Sequence, residues 1–237
     1  MPEFKTTYDF PAGEILLFNK ELNWTSFDVV NKVRYHICQK LGVKKLKVGH
    51  AGTLDPLATG LIVLCTGKAT KRIEELQQDE KEYVATLKIG ATTPSFDMET
   101  EEDSTADYSG VTRKLAEAVI QKFVGEIDQV PPVFSAVKIK GKRAFDYARK
   151  GEDIELRAKR IVIRKIVLEE YRLPYIKIRV NCGKGTYIRA LARDIGEELG
   201  CGAYLTALER TKIGEFDVHQ AFLVDEFLEK LNLDESK

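Results

Sequence analysis

Residues 48–60 read VGHAGTLDPLATG, and this stretch determines how the surrounding chain divides into elements. Glycines at positions 49, 52 and 60 and a proline at position 56 cannot continue a helix, so we predict an ordered loop here. Upstream, Thr25 and Asp28 have the capping-box pattern and begin a stretch with apolar residues at helical spacing. Downstream, residues 61–65 (LIVLC) form an apolar run of strand length. The stretch is therefore predicted to join a helix to a buried strand.

The rest of the chain mixes strand and helix patterns without a strict βαβ repeat. Strand patterns occur at 14–18, 82–90, 161–168 and 175–182. Helical patterns occur at 68–78, around 115–123 with Gly125 as a predicted C-cap, after residue 185 with Thr186 as a predicted N-cap, and at 220–231. We therefore predict an α+β fold, with a mixed, largely antiparallel central sheet flanked by helices.

The composition is that of a globular protein. With 43% hydrophobic residues among 237, the chain can bury a substantial core. It has no signal-peptide pattern and no run of the roughly 20 apolar residues that cross a bilayer, so we predict a cytoplasmic protein with no membrane contact. The four cysteines are scattered and are predicted to be reduced thiols. Dinucleotide and Walker motifs and clusters with metal-ligand spacing are missing from the sequence, which predicts no cofactor and no metal.

The charges are segregated although the formal net charge is zero. Residues 138–150 (KIKGKRAFDYARK) are strongly basic, whereas residues 97–107 are acidic. A neutral chain of this kind can still present a phosphate-binding face, because charges beyond a Debye length hardly influence one another. From charge alone, a solvated basic surface and an RNA-binding surface both stay open. We predict that the acidic segment, 93–110, is an exposed loop. Its residues 97–107 could line an edge of a functional site or be solvated, and solvation is favoured.

Asp55 and His50 are the groups in the 48–60 loop that could carry chemistry. Pro56 biases Asp55 toward extended backbone angles, and fixed geometry is what a nucleophile or a base requires. Asp55 could equally close a local turn by bonding to the backbone. A lone histidine such as His50 is more often a structural hydrogen-bonding group than a catalytic one. A structural role and a catalytic role therefore both remain open for Asp55 and for His50.

Taken whole, the string G-H-x-G-x-L-D-P-x-A-x-G resembles the active-site motif of the bacterial tRNA pseudouridine-55 synthases, the TruB family. Tyr83 within KEYVATLKIG resembles the family's second motif. Residues 130–143 (VPPVFSAVKIKGKR) resemble its thumb insertion, and 183–189 (GKGTYIR) with 200–208 (GCGAYLTAL) resemble its third motif. The resemblance implies the pseudouridine synthase fold. It also implies isomerisation of the uridine at position 55 in the T loop of tRNA.

The resemblance also implies roles for individual residues. Pseudouridine formation breaks the bond from ribose to uracil N1 and rejoins the base through C5, so no group donor is needed. Asp55 is implied as the essential carboxylate. The resemblance leaves open which role it has: attack on ribose C1′, attack on uracil C6, or removal of the C2′ proton. Arg189 is implied as its cationic partner. The implied contacts of the extruded uridine are Tyr83 by stacking, Tyr187 and Leu208 as pocket walls, and His50. Without the resemblance, Tyr83 reads as a core aromatic and Arg189 as a surface helix residue.

By the same resemblance, residues 130–157 form a mobile thumb within a catalytic domain of residues 1–219. Its phosphate-binding residues would be Lys138, Lys140, Lys142 and Arg143. Residues 220–237 are expected to form a short C-terminal helix and tail, too short for the PUA domain found in many relatives.

One motif departs from the family pattern. The family usually has Lys-Pro and then a glycine shortly before Thr-Ser, whereas residues 20–26 here read KELNWTS. Lys20 is retained and remains a candidate substrate-binding residue, but the proline and the glycine are replaced. The shape of this turn is therefore not fixed by the resemblance.

Three functions were compared. A stand-alone T-loop uridine isomerase fits the motifs. The related guide-RNA-dependent synthase would carry a PUA domain and partner-binding extensions. An RNA chaperone without chemistry predicts the loss of Asp55 or Arg189, and both are present. We therefore expect tRNA, bound through its T arm, as the partner of a monomer with no obligatory protein partner.

If the thumb binds phosphates, tRNA affinity should fall steeply as salt is raised, because each neutralised phosphate releases counterions. The measurement is a dissociation constant over a salt series. An affinity that stays constant from low to high salt would contradict a phosphate-dominated interface.

Overall fold

The computed structural model describes residues 4–5, 7–135, 138–139, 142–144, 147 and 156–233. Half of the predicted thumb (130–157), Lys140 included, lies outside the described residues. For Lys138, Lys142 and Arg143 the backbone alone is described. The chain divides into two compact units, one formed by Met1–Tyr83 with Glu209–Lys237 and the other by Val84–Leu208.

The described strands, in chain order, are β1 (Ile15–Lys20), β2 (Val48–His50), β3 (Ala58–Thr66), β4 (Lys81–Ile89), β5 (Ala91–Thr92), β6 (Ser104–Thr105), β7 (Gly125–Gln129), β8 (Lys138–Ile139), β9 (Lys142–Arg143), β10 (Lys159–Arg172), β11 (Tyr175–Cys182), β12 (Ala203–Ile213) and β13 (Phe216–Asp217). The described α-helices are α1 (Ser26–Leu41), α2 (Ile73–Gln78), α3 (Arg113–Gln121), α4 (Ile188–Glu198) and α5 (Val224–Leu233). Short 3-10 helices cover Gly67–Arg72 and Val218–Gln220.

The first unit is built around β3, which is buried along almost its whole length. β3 pairs antiparallel with β1, from Ile15↔Cys65 to Lys20↔Gly60, and with β2. The strand order in this unit is β1-β3-β12-β4. Helices α1 and α5 cover β1 and β3 through one apolar cluster that includes Phe18, Ile62 and Phe227. The predicted start of α1 is confirmed, because Thr25 and Asp28 form a reciprocal capping box.

In the second unit the strand order is β12-β4-β11-β10-β7. Strands β10 and β11 form an antiparallel hairpin, and β7 pairs antiparallel with β10 so that Gln129 lies opposite Lys159. Strand β4 alternates buried and half-buried residues, as its sequence predicts. The predicted α+β class, a mixed sheet with antiparallel strands flanked by helices, is confirmed.

Three predicted boundaries are wrong. The loop predicted at 48–60 covers only 51–57, because both of its ends join the sheet as β2 and β3. Gly125 is not a helix cap: α3 ends at Gln121, and Gly125 is the first residue of β7. Thr186 is not the N-cap of α4 because its hydroxyl donates to the Gly183 carbonyl, 3.0 Å away, and Tyr187 takes the cap position.

The four cysteines, all of them described, form no disulfide: Cys65, Cys182 and Cys201 are buried and Cys38 is half-buried. Within the described part of the chain, every helix is too short or too polar to cross a membrane.

Candidate active site

Residues 51–57 form a loop with Asp55 half-exposed near its end. Gly52 and Gly60 have φ angles of 107° and 101°, in the region that favours glycine. At Gly60 a Cβ atom would lie 2.4 Å from the backbone oxygen of Arg210, so only glycine allows β12 to approach this closely. These constraints account for two of the three glycines in the 48–60 stretch.

The start of α1 anchors the loop. The Ser26 hydroxyl donates to the Leu54 carbonyl at 3.1 Å and accepts from the Leu54 amide at 2.8 Å. The Asn23 amide donates to the Pro56 carbonyl at 2.8 Å. The residues on both sides of Asp55 are therefore fixed through their backbone, which holds the backbone of Asp55 in place.

The guanidinium of Arg210 supports the loop from β12. It is 1% exposed. It donates from Nε to the Leu61 carbonyl at 2.8 Å, from Nη2 to Gly52 at 3.1 Å and from Nη1 to Thr53 at 3.4 Å. Arg210 thus joins the start of the loop, at Gly52 and Thr53, to strand β3, which follows the loop. The sequence analysis missed this residue, because a single arginine in a strand pattern gives no signal of its own.

Lys20 is a second buried cation beside the loop. Its side chain is 0% exposed, and its ammonium donates to the carbonyls of Trp24 at 2.6 Å, Glu21 at 3.0 Å and Pro56 at 3.4 Å. Burial lowers the pKa of Lys20 to about 8, although the Asp55 carboxylate raises it in part. Since the ammonium is fully enclosed, its position favours a role in holding Asp55 and its loop over a contact with substrate.

His50 ends β2 next to this loop. Burial lowers the pKa of His50 below its usual value; the Gly52 backbone raises it in part, and the Arg210 charge lowers it further. His50 is therefore a neutral imidazole at pH 7. Its buried Nδ1 atom has no hydrogen-bond partner among the residues that the structure describes.

The two predicted uracil contacts on the sheet differ in exposure. Tyr83 on β4 is 9% exposed, which fits both a core aromatic and the wall of a narrow pocket. Leu208, on β12, is half-buried.

In the second unit, Arg189 lies in the first turn of α4 and is 5% exposed. Interpreting it as a surface helix arginine is therefore wrong. Its Nη1 donates to the Ser95 carbonyl at 3.2 Å, its Nη2 to the Phe134 carbonyl at 2.8 Å, and its Nε lies 3.4 Å from Asp97 Oδ2.

Asp97, which forms this ion pair with Arg189, belongs to the acidic segment that was predicted to be exposed. The prediction is wrong for this residue. Residues 101–107 are exposed as predicted, but Asp97 is buried. Asp97 also accepts a hydrogen bond from the Glu99 amide at 2.9 Å. The preceding Phe96 has a φ angle of 63° and lies against the Arg193 guanidinium at 4.8 Å. Residues in such sparsely populated backbone conformations are concentrated at functional sites.

Titration of Lys20 should appear in the pH dependence of the expected uridine isomerisation. As pH rises through about 8, the ammonium loses its charge and one of its donors. Support for the ionised Asp55 then weakens, so the single-turnover rate should fall. Lys20→Met should be slow at every pH and lack this transition, whereas exposed Lys44→Met should keep the wild-type profile. If the single-turnover rate of the wild type did not change as pH rises through about 8, the role given to Lys20 would be contradicted.

Titration of Lys20 should change stability in the opposite direction to the reaction rate: as pH rises, the rate falls but the free energy of unfolding increases. Its folded pKa lies below the unfolded value of 10.5, so the unfolded chain binds more protons between the two values. Over that window the contribution of Lys20 to the free energy of unfolding should increase with pH. Denaturant unfolding of wild type and Lys20→Met across this window measures the difference.

Asp97→Asn should destabilise the protein by about 3–5 kcal/mol, because it leaves the buried Arg189 charge without its carboxylate. Urea denaturation measures this loss. Glu101→Gln, in the exposed part of the same segment, is the matched control and should change the free energy of unfolding by less than about 0.5 kcal/mol. Equal stability of the two variants would show that the ion pair contributes nothing.

Two family models match consecutive parts of the chain. "TruB family pseudouridylate synthase (N terminal domain)" matches residues 39–188, and "tRNA pseudouridylate synthase B C-terminal domain" matches residues 189–236.

Curated proteins named tRNA pseudouridine synthase B are similar over almost their whole length. The protein from Phocaeicola vulgatus is 62% identical over 96% of this chain and 97% of its own. The protein from Bacteroides thetaiotaomicron is 59% identical over 96% of both chains. The protein from Flavobacterium johnsoniae is 49% identical over 95% of this chain and 99% of its own.

Two solved structures have a similar fold. The crystal structure of a Cbf5-Nop10-Gar1 complex matches with a TM-score of 0.71 and 26% identity, over 96% of this chain and 56% of that chain. An H/ACA RNP bound to a substrate RNA containing 2'-deoxyuridine matches with a TM-score of 0.66 and 25% identity, over 93% and 53%. This chain thus spans just over half of those solved chains. The family models and the curated relatives agree, and the chain belongs to the TruB family of pseudouridylate synthases.

Proposed function

We propose that this protein is an enzyme that converts the uridine at position 55 in the T loop of tRNA to pseudouridine. The observation that carries the proposal is the half-exposed Asp55 carboxylate, whose loop is held by two buried cations in a chain of the pseudouridylate synthase family. An accessible acid on a fixed loop is what covalent or proton-transfer chemistry at a sugar or base requires.

Asp55 acts in its ionised form in this proposal. Attack on C1′, attack on C6 and removal of the C2′ proton all need a free carboxylate lone pair. The Lys20 ammonium beside the loop carries the opposite charge and attracts the Asp55 carboxylate. The resemblance assigns Arg189 as the cationic partner of Asp55, and we retain that assignment as part of the proposal.

The uridine must leave its loop before it can react, which costs a few kcal/mol in lost stacking. Tyr83 is proposed to stack on the extruded uracil, with Tyr187 and Leu208 as the remaining walls. Since His50 is neutral, it would contact the RNA through hydrogen bonds and not as a cation. Lys138, Lys140, Lys142 and Arg143 are proposed to bind phosphates of the T arm.

The proposal describes a stand-alone monomer that acts in the cytoplasm, where tRNA is found. The curated relatives support stand-alone action because they match this chain over nearly their full length. The solved chains of the H/ACA assemblies are almost twice as long. Activity without any guide RNA or second protein would distinguish a stand-alone enzyme from a guide-RNA-dependent one.

The test is to incubate the purified protein alone with unmodified tRNA transcript and map pseudouridine. Wild type should modify the T-loop uridine, and a transcript with cytidine at that position should give no product there. Asp55→Asn keeps the shape of the side chain but removes its charge, so product should be undetectable. Glu229→Gln, an exposed carboxylate on α5, is the control and should keep full activity.

Two results would overturn the proposal. One is the absence of product with correctly folded wild-type protein, which would favour an RNA chaperone or a guide-dependent enzyme. The other is full activity of Asp55→Asn, which would remove the carboxylate from the chemistry.

A further inference from the structure

Gln129, the last residue of β7, uses its side-chain amide to hold the backbone of one other residue. Its Oε1 accepts a hydrogen bond from the Tyr187 amide at 2.9 Å, and its Nε2 donates to the Tyr187 carbonyl at 3.1 Å. Gln129 is 1% exposed, so both bonds are protected from water. One buried side chain therefore satisfies both polar backbone groups of Tyr187.

Tyr187 needs such support because it begins α4 without a side-chain cap. Its carbonyl also accepts the first helical bond, from the Leu191 amide at 3.0 Å. Both lone pairs of that carbonyl are therefore used, one by the helix and one by Gln129. The position of the Tyr187 backbone is set from two directions, which limits where its ring can lie.

The backbone of Gln129 is itself fixed in the sheet, where it pairs with Lys159 of β10. Neighbouring bonds join the same stretch of chain to α4. The Arg189 guanidinium donates to the Phe134 carbonyl, and the Arg193 guanidinium donates to the Val130 carbonyl at 3.2 Å. The first two turns of α4 are thus placed by residues 129–134.

We propose that Gln129 is a positioning residue for the reaction: its amide transmits the position of the sheet edge to Tyr187, and through the first turn of α4 to Arg189. This inference rests on the proposed function, in which Tyr187 contacts the extruded uracil. Gln129 itself touches neither the substrate nor the reacting atoms. Its loss should therefore slow the chemical step without weakening the binding of tRNA.

The first variant is Gln129→Met, which keeps the length of the side chain and removes both hydrogen bonds. Single-turnover rates at saturating enzyme should fall roughly 10- to 100-fold, as displacements of about 1 Å do in other active sites. The tRNA dissociation constant should match that of wild type. Gln121→Met is the matched control, since Gln121 donates to the Ile166 carbonyl at 3.0 Å and ties α3 to β10. It should lower the melting temperature and leave the rate unchanged.

The second variant, Gln129→Glu, separates positioning from stability. The introduced carboxylate can still accept from the Tyr187 amide, but its other oxygen faces the Tyr187 carbonyl without a proton between them. Burial raises the pKa of such a carboxyl group, and protonation at lower pH restores the missing donor. The rate of Gln129→Glu relative to wild type should therefore rise as pH is lowered, whereas that of Gln129→Met should not.

Each outcome decides the inference. It is supported by slow chemistry with intact tRNA affinity in Gln129→Met together with acid rescue of Gln129→Glu. It is overturned if both variants react at the wild-type rate, if the loss is confined to tRNA affinity, or if Gln121→Met is slowed as much as Gln129→Met. Failure of the proposed function is distinguishable, because wild type would then form no pseudouridine at all.

Discussion

The bonds from the Arg210 guanidinium to three backbone carbonyls are the constraint on which the site in the first unit depends. A buried cation is tolerated only where dipoles or charges compensate for lost hydration, and here the carbonyls of the 51–57 loop and of β3 do so. The loop therefore folds around a charge instead of around an apolar contact. Lys20 repeats this arrangement on the α1 side. Together they surround a carboxylate-bearing loop with positive potential, which suits an acid that must stay ionised.

The second unit uses the same chemistry in a different arrangement. There the buried cation, Arg189, belongs to a helix, and two loop segments converge on it with backbone carbonyls and one carboxylate. This explains why Asp97 is buried at the start of an otherwise exposed acidic stretch, and why Phe96 adopts a left-handed conformation beside it. The ion pair with Arg189 and the hydrogen bond from the Glu99 amide compensate for the lost hydration of Asp97.

Sequence alone predicted the elements whose signals are local. The capping box of α1 and the alternation of β4 depend on residues a few positions apart, and the α+β class follows from such patterns. Asp55 was recognised as the candidate catalytic carboxylate because it lies in a motif of twelve consecutive positions. Arg210, which supports the loop, escaped prediction because its partners are distant in the chain: Arg210 and Leu61 are 149 positions apart. Gln129 and Asp97 were missed for the same reason.

The ladder between β7 and β10 has a further consequence for how members of this family could diverge. The chain leaves the sheet at Gln129 and returns at Lys159, directly opposite. The intervening polypeptide is closed at its root by strand pairing, and the entropic penalty of closing a longer segment grows only logarithmically. Insertions or deletions beyond Ser135 can therefore accumulate without shifting the register of either strand. Natural selection can therefore change the length of this segment while the paired strands on either side of it are kept.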